Sequence, residues 1–438
     1  MKAPTRPGPI DVADDGMRRR LEAIWHLEAA RIIGRVARIV RDVGLAEEFA
    51  QDAMVAALEH WPHDGVPANP GAWLMTAAKR RALDHLRHRA TVQDKADAVA
   101  REIAFQHEVA TVEHEQRIDA ALDDDIGDDL LRLIFTACHP VLSPEARCTL
   151  TLRVMGGLST AEIARAYLKP EPTIAQRIVR AKRTLAAARV PCEVPRGAER
   201  VERLPQVLEV LYLIFNEGYA ATTGPDWMRP ALCAEAVRLG RVLASLLPNH
   251  GEVLGLLALM EIQASRLAAR ASPEGHPVLL PDQDRRLWDR LLIRRGLEAL
   301  ERAGNLPGPL GSYALQAAIA ACHARAQTFA DTDWHHITAL YDALAEVAPS
   351  PIVQLNRAVA VSMTYGADAA LDIVDALRND PLLADYHLLP SVRGDLLMRL
   401  DRPAEARAEF ERAAAQALNA RERALLLARA ADCATDRR

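Results

Sequence analysis

The sequence predicts an all-α protein, and three observations carry that prediction. Aromatic residues make up only 4% of the chain, against 50% hydrophobic residues, among which alanine and leucine dominate. Strands draw on β-branched and aromatic side chains, so this bias favours helices and fits no all-β sandwich or barrel. Apolar residues also recur at steps of three and four, the period of a helix with one buried face, and Gly, Pro and Asn punctuate the stretches between. At 438 residues the chain has room for roughly three domains of about 150 residues each.

Residues 1–16 (MKAPTRPGPIDVADDG) read as a flexible tail without the apolar core of a signal peptide. From Met17 to Val43, the residues Leu21, Ile24, Leu27, Ile33, Val36 and Val40 mark a first helix, which Gly44 ends. A second helix puts Leu45, Phe49, Ala53, Met54, Ala57, Leu58 and Trp61 on one face and Glu47, Glu48, Gln51, Asp52 and Glu59 on the other. Pro62 stops it, and a loop runs to Pro70. A third helix from Gly71 to Arg89 is apolar first and basic at its end. Residues 17–92 form one unit, 93–127 an acidic linker and 128–190 a second compact unit, bounded by Pro191 and Pro195.

Beyond 195 the chain reads as helix after helix: Glu202–Asn216, Arg229–Leu247, Gly251–Ala269, Gln283–Arg302, Ser312–Thr328, Trp334–Glu346 and Val353–Tyr365. We divide this part into a helical extension, 195–350, and a repeat region, 351–435. In the repeat region Gly394, Ala406, Phe410 and Ala413 have the small–small–aromatic–small spacing of a tetratricopeptide helix pair. A fainter copy uses Ala369, Ile373 and Ala376.

The net charge of −5 hides an uneven distribution. Residues 79–89 are basic; residues 94–129 carry twelve acids against three bases, about −9; residues 145–189 return to about +6. Two basic zones around an acidic one point to nucleic acid at two places.

The segment Gly157–Leu185, GLSTAEIARAYLKPEPTIAQRIVRAKRTL, is the most specific. Ser159 and Glu162 form a capping box, and Lys169–Pro172 makes a tight turn into a helix whose first turn tolerates Pro172. In that helix Ile174, Ile178, Ala181 and Leu185 face inward, leaving Thr173, Gln176, Arg177, Arg180 and Arg183 outside. A short helix, a turn and an outward-facing cationic helix make a helix-turn-helix suited to the major groove; the competing reading is a helical hairpin with a solvated basic face.

With the front of the chain added, residues 17–190 resemble the extracytoplasmic-function class of bacterial RNA polymerase sigma factors, in the sigma-70 family. The resemblance rests on LAEEFAQDAMVAALEHW, then a loop, then the tryptophan-led WLMTAAKRRALDHLR, a linker and the helix-turn-helix. The remainder resembles the tetratricopeptide-like extension of one subgroup, most recognisably in LYLIFNEGYAATTG at Leu211–Gly224. The resemblance implies sigma region 2 at 17–92 and region 4 at 128–190. It implies that Glu47, Glu48, Gln51 and Asp52 meet the clamp of the polymerase largest subunit, and that the flap region of core polymerase is a further partner. It places Asn69, Trp73, Lys79, Arg80, Arg81, Arg87 and Arg89 at the −10 element, and Thr173, Gln176, Arg177, Arg180, Lys182 and Arg183 at the −35 element. Many members carry Asn where this chain has Arg80, so a −10 base preference does not transfer. The acidic linker would thread toward the polymerase cleft as a nucleic-acid mimic, or act as a charged spacer.

Six cysteines lie scattered without C-x-x-C spacing, and Cys138-His139 and His335-His336 lack further ligands at useful spacing. Glu217 beside Gly218 reads as a helix C-cap rather than a catalytic acid. No metal, cofactor or enzyme activity is expected. The longest apolar runs, near Val253–Met260, are too short to cross a membrane, and a cytoplasmic protein is expected. The expected function is promoter recognition and melting with core RNA polymerase, regulated by the fused helical part, which offers a surface for a protein or peptide partner. A helix-turn-helix activator with a tetratricopeptide sensor, or a scaffold, are the alternatives.

Overall fold

The computed structural model describes residues 9–100, 126–167, 169–195, 197–222 and 226–435. Among them the secondary structure is helical, with one isolated β-bridge between Ala271 and Pro277 and no strand. The chain divides into two compact units, Met1–Val210 and Leu211–Arg438.

The first unit opens with α1 (Pro9–Val40), α2 (Val43–Asp64) and α3 (Pro70–Ala100), packed on one another. Leu21, Ile32, Ile33 and Val36 of α1, Ala46, Ala50, Ala53, Ala57 and Trp61 of α2, and Leu74, Ala78 and Ala82 of α3 are buried. Each large aliphatic among them contributes about 1.5–3 kcal/mol on leaving water. Several boundaries differ from expectation. Helix α1 covers residues 9–16 of the expected tail; residues 1–8 lie outside the described set. The α1–α2 break falls at Arg41, not Gly44, because the Asp42 side chain accepts the Leu45 N–H and caps α2. Pro62 lies inside α2, which ends instead where the Gly65 N–H returns to the Trp61 carbonyl oxygen. Leu58, expected inward, is 40% exposed, since alanines fill that face. Helix α3 runs on through residues 93–100 of the expected linker, and residues 101–125 lie outside the described set.

Four helices follow: α4 (Ile126–Ala137), α5 (Pro144–Val154), α6 (Thr160–Tyr167) and α7 (Glu171–Ala187). Ser143 caps α5 through the Ala146 N–H. The division between the two units falls inside α8 (Gly197–Tyr219), after Val210, rather than at Pro191–Pro195. The start of α8 belongs with α4 and α5: Arg203 reaches the Phe135 carbonyl oxygen and Arg147 pairs with Glu209.

The second unit continues with α9 (Pro230–Leu246), α10 (Gly251–Ala264), α11 (Arg290–Gly304), α12 (Ser312–Arg325), α13 (Trp334–Val347), α14 (Pro351–Thr364), α15 (Ala367–Ala376), α16 (Leu388–Arg399), α17 (Pro403–Gln416) and α18 (Ala420–Thr435). Successive helices pack on each other in chain order. Expected helix between 283 and 289 is instead a 3-10 turn at Arg285–Leu287, because Asp289 caps α11 at the Leu291 and Leu292 N–H groups. Ala406, Phe410 and Ala413 are buried, and a Cβ on Gly394 would come within 2.7 Å of the Phe410 ring, so that glycine lets α16 approach α17. The fainter copy is out of register by one: Ala370, Leu371 and Val374 are buried, whereas Ala369 and Ala376 are exposed.

Candidate nucleic-acid interface

The helix-turn-helix forms as its sequence dictates. The Ser159 hydroxyl accepts the Glu162 N–H at 3.1 Å, and the Glu162 carboxylate accepts the Ser159 N–H at 2.7 Å, fixing the start of α6. Burial pushes the Glu162 carboxyl up, but the Ser159 hydrogen bonds and nearby His26 outweigh it and hold the group below its ordinary value. In α7, Ile174, Ile178, Ala181 and Leu185 are buried. Thr173, Gln176, Arg180 and Arg183 are exposed and Arg177 half-buried, a polar and cationic face turned to solvent. Lys182 departs from this set: it is turned inward and ion-pairs with Glu47.

On α2 the four expected polar residues separate. Glu48 and Asp52 are exposed, and Asp52 lies 3.7 Å from the Arg81 guanidinium. Glu47 is 1% exposed, accepts from Arg153 Nε at 2.7 Å and from the Gln51 amide, and pairs with Lys182. Sequence periodicity puts all four on the polar face; it carries no sign of Arg153, 106 residues away in the chain.

The basic helix α3 begins with Asn69 as its cap, the side-chain oxygen accepting the Ala72 N–H at 3.1 Å. Trp73 is half-buried and meets Trp61 edge-on, ring centroids 5.4 Å apart. Arg80, Arg87 and Arg89 are exposed, Lys79 and Arg81 half-buried, and Arg87 pairs with Asp84 at 3.3 Å. Among the twelve acids, Asp129 is no surface charge. It is buried between Arg35, Arg38 and Arg132, and burial holds its carboxyl above the ordinary range despite those arginines.

In the second unit Gly218 is not a helix cap. It lies within α8, where a Cβ would come 2.7 Å from the Cys233 backbone nitrogen, and Glu217 pairs with Arg229. Sequence reasoning missed a cluster of arginines beside it. Arg270 stacks on Tyr219 and Trp227, Arg266 and Arg285 both lie over Trp288, and their hydrogen bonds go to carbonyls and glutamines. Aromatic faces offset the burial of these charges. Burial, then the charges of Arg266 and Arg285, pushes His323 down to about 4. Burial raises the thiols of Cys138, Cys148 and Cys233 to about 12, far from a reactive thiolate. Among the described residues no group of three or more His, Cys, Asp or Glu side chains could hold a metal ion, and no helix is long and apolar enough to cross a membrane.

Comparison with known proteins bears on the same segments. Residues 25–91 match the model of sigma-70 region 2, residues 132–185 that of sigma-70 region 4, and residues 203–304 a family of unknown function, DUF6596. A protein of Rhizobium meliloti (strain 1021), described as uncharacterized protein R00370, is 43% identical over 395 residues, 90% of this chain and 91% of that one. The extracytoplasmic-function sigma factor SigK of Mycobacterium ulcerans is 28% identical over 174 residues, 39% of this chain and 86% of its own length. The probable sigma factor SigI of Mycobacterium tuberculosis is 26% identical over 181 residues, 41% of this chain and 59% of its own length.

Proposed function

The chain belongs to the extracytoplasmic-function class of the sigma-70 family of RNA polymerase sigma factors, and from that premise we propose how its residues divide the work. Proteins of this family bind core RNA polymerase and promoter DNA. Glu48 and Asp52 meet the polymerase clamp, Lys79, Arg80, Arg81, Arg87 and Arg89 take the −10 phosphates, and α7 reads the −35 element. The observation that carries this reading is the face of α7: four buried apolar residues leave Thr173, Gln176, Arg180 and Arg183 exposed together at groove-reading spacing. Arginines on such a face read guanine edges by paired hydrogen bonds. Exposed carboxylates on α2 suit a cationic helical partner and speed its encounter.

The Leu211–Arg438 unit regulates this activity, with a protein or peptide segment as its partner. The support is its tetratricopeptide-like packing around Gly394 and Phe410, a way of building extended binding surfaces. Reversing charge at Glu48 and Asp52 together tests the polymerase assignment. Co-purification with core polymerase should weaken while helical content stays constant; unchanged co-purification refutes the clamp contact.

A further inference from the structure

The second unit gathers three arginines on the 265–289 connection between α10 and α11, where helix pairs usually need about 2–8 residues. The connection is shaped by 3-10 turns at Leu267–Ala269, Leu280–Asp282 and Arg285–Leu287 and by the Ala271–Pro277 bridge. Arg270 lies 3.6 Å from the centre of the Tyr219 ring and 4.6 Å from that of Trp227. Arg266 and Arg285 lie 5.1 Å and 4.2 Å from the centre of the Trp288 ring. Gln263 joins the two halves, its side-chain oxygen accepting the Tyr219 hydroxyl at 2.9 Å and Arg266 Nη1 at 3.1 Å.

The three arginines donate to Gln263, Gln283 and the carbonyl oxygens of Tyr219, His323 and Ala326, and to no carboxylate among the described residues. Arg266 and Arg270 are nevertheless only 9% and 7% exposed. Equally buried arginines elsewhere in this unit do have carboxylates: Arg229 pairs with Glu217, and Arg393 with Glu409. A buried charge is ordinarily paired, because the desolvation it suffers is otherwise uncompensated. Here the neighbouring charges have the same sign. Arg270 stands beside Arg266, and Arg266 and Arg290 beside Arg285. Stacking on aromatic rings offsets desolvation but not this mutual repulsion. Within the same cluster Arg270 Nε, Arg285 Nη2, Trp288 Nε1 and His323 Nδ1 are buried without a hydrogen-bond partner.

We infer that Arg266, Arg270 and Arg285 form a binding site for the oxyanion group of a small metabolite, a phosphate or a carboxylate. Guanidinium forks match both groups and hold them by charge-assisted hydrogen bonds. The Trp288 indole N–H is a further donor in the cluster. Tyr219, Trp227, Arg285 and His323 are half-buried, so the ligand enters on their side, while Arg266, Arg270 and Trp288 lie deeper. A bound anion supplies the missing negative charge and fastens the 265–289 connection to α8 and α10. The site lies within the second unit and does not depend on the sigma-factor reading.

The test titrates the full chain with sodium phosphate in one arm and sodium citrate in the other, each against sodium chloride at equal ionic strength. The melting temperature should rise along a saturating curve in at least one arm, as binding to the folded state alone requires. A general salt effect grows without saturating and is shared by every variant. Arg270→Met and Arg285→Met should each raise the half-saturating concentration on the order of tenfold or more, the loss of a charge-assisted hydrogen bond. Saturation by phosphate alone assigns a phosphorylated ligand, and by citrate alone a carboxylated one. Circular dichroism checks that each variant is folded. A second readout needs no arginine variant. His323 is held down to about 4 by burial and then by Arg266 and Arg285, so a saturating anion should raise its pKa in the parent chain. Nuclear magnetic resonance of histidine-labelled protein measures this, with His323→Phe identifying the signal. Melting no different from chloride in both arms overturns the site. So does equal half-saturation in the parent and the folded variants, or a His323 titration that the bound anion leaves unmoved.

Discussion

The Arg203 guanidinium donates from Nη2 to the Phe135 carbonyl oxygen across 2.7 Å and lies over the ring of the same residue, 5.8 Å from its centroid. A residue beyond the proline-marked boundary is thus part of the region 4 fold. Arg203→Ala should destabilise the first unit by about 2 kcal/mol, the scale of a lost hydrogen bond to a charged group with its buried carbonyl left unpaired. A fragment ending at Val190 should accordingly melt below one ending at Val210. Equal thermal midpoints for the two fragments contradict this.

Within α7 the exposed arginines should divide by role. Arg180→Ala should cost roughly 1–3 kcal/mol in promoter affinity and relax selectivity at one −35 position, as loss of a base contact does. Arg183→Ala should weaken binding evenly across sequences and lower the salt dependence, as loss of a phosphate contact does. Binding of promoter variants by the polymerase complex over a salt series checks both.

Gly394→Ala should destabilise the second unit by about 1–3 kcal/mol, because its Cβ would fall 2.7 Å from Phe410 in a packed core. The first unit should be unaffected. Denaturant melts followed by hydrogen exchange in each unit separate the two effects; equal protection in parent and variant at α16 and α17 would refute the close-approach role.

His323, held down to about 4 by burial and then by Arg266 and Arg285, is neutral in the fold, while the unfolded chain protonates it near its ordinary value of 6.5. Its stabilising contribution is therefore complete above pH 6.5 and falls as pH drops from 6.5 toward 4, by up to about 3 kcal/mol. His323→Phe should flatten that part of the stability curve. A variant with the parent's slope between these limits contradicts the assignment.

Much of this was legible in the sequence, for reasons that particular residues make plain. Ile174, Ile178, Ala181 and Leu185 announce their helix through periodicity, and Ser159 with Glu162 announces its start, because both signals are local. Gly44 and Pro62 misled for an equally local reason: Asp42 caps the start of α2 two residues before Gly44, and α2 runs past Pro62 to its cap at Gly65. Glu47 was unreadable in its true setting. Its partners Arg153 and Lys182 come from helices more than a hundred residues away, and only the fold brings them to α2. The arginines at 266, 270 and 285 give no pattern either, since what defines the cluster is their stacking on Tyr219, Trp227 and Trp288.

The central claim is that this chain directs core RNA polymerase to promoters. Purified core polymerase, which starts poorly at defined sites alone, should be mixed with the full chain and a library of fragments from the source genome, and the 5′ ends of the transcripts mapped. Discrete start sites that appear only with the chain, share two sequence elements upstream, and vanish with the combined Glu48→Lys and Asp52→Lys variant are the predicted result. Start sites identical with and without the chain, while it binds duplex DNA in the absence of polymerase, would contradict the account.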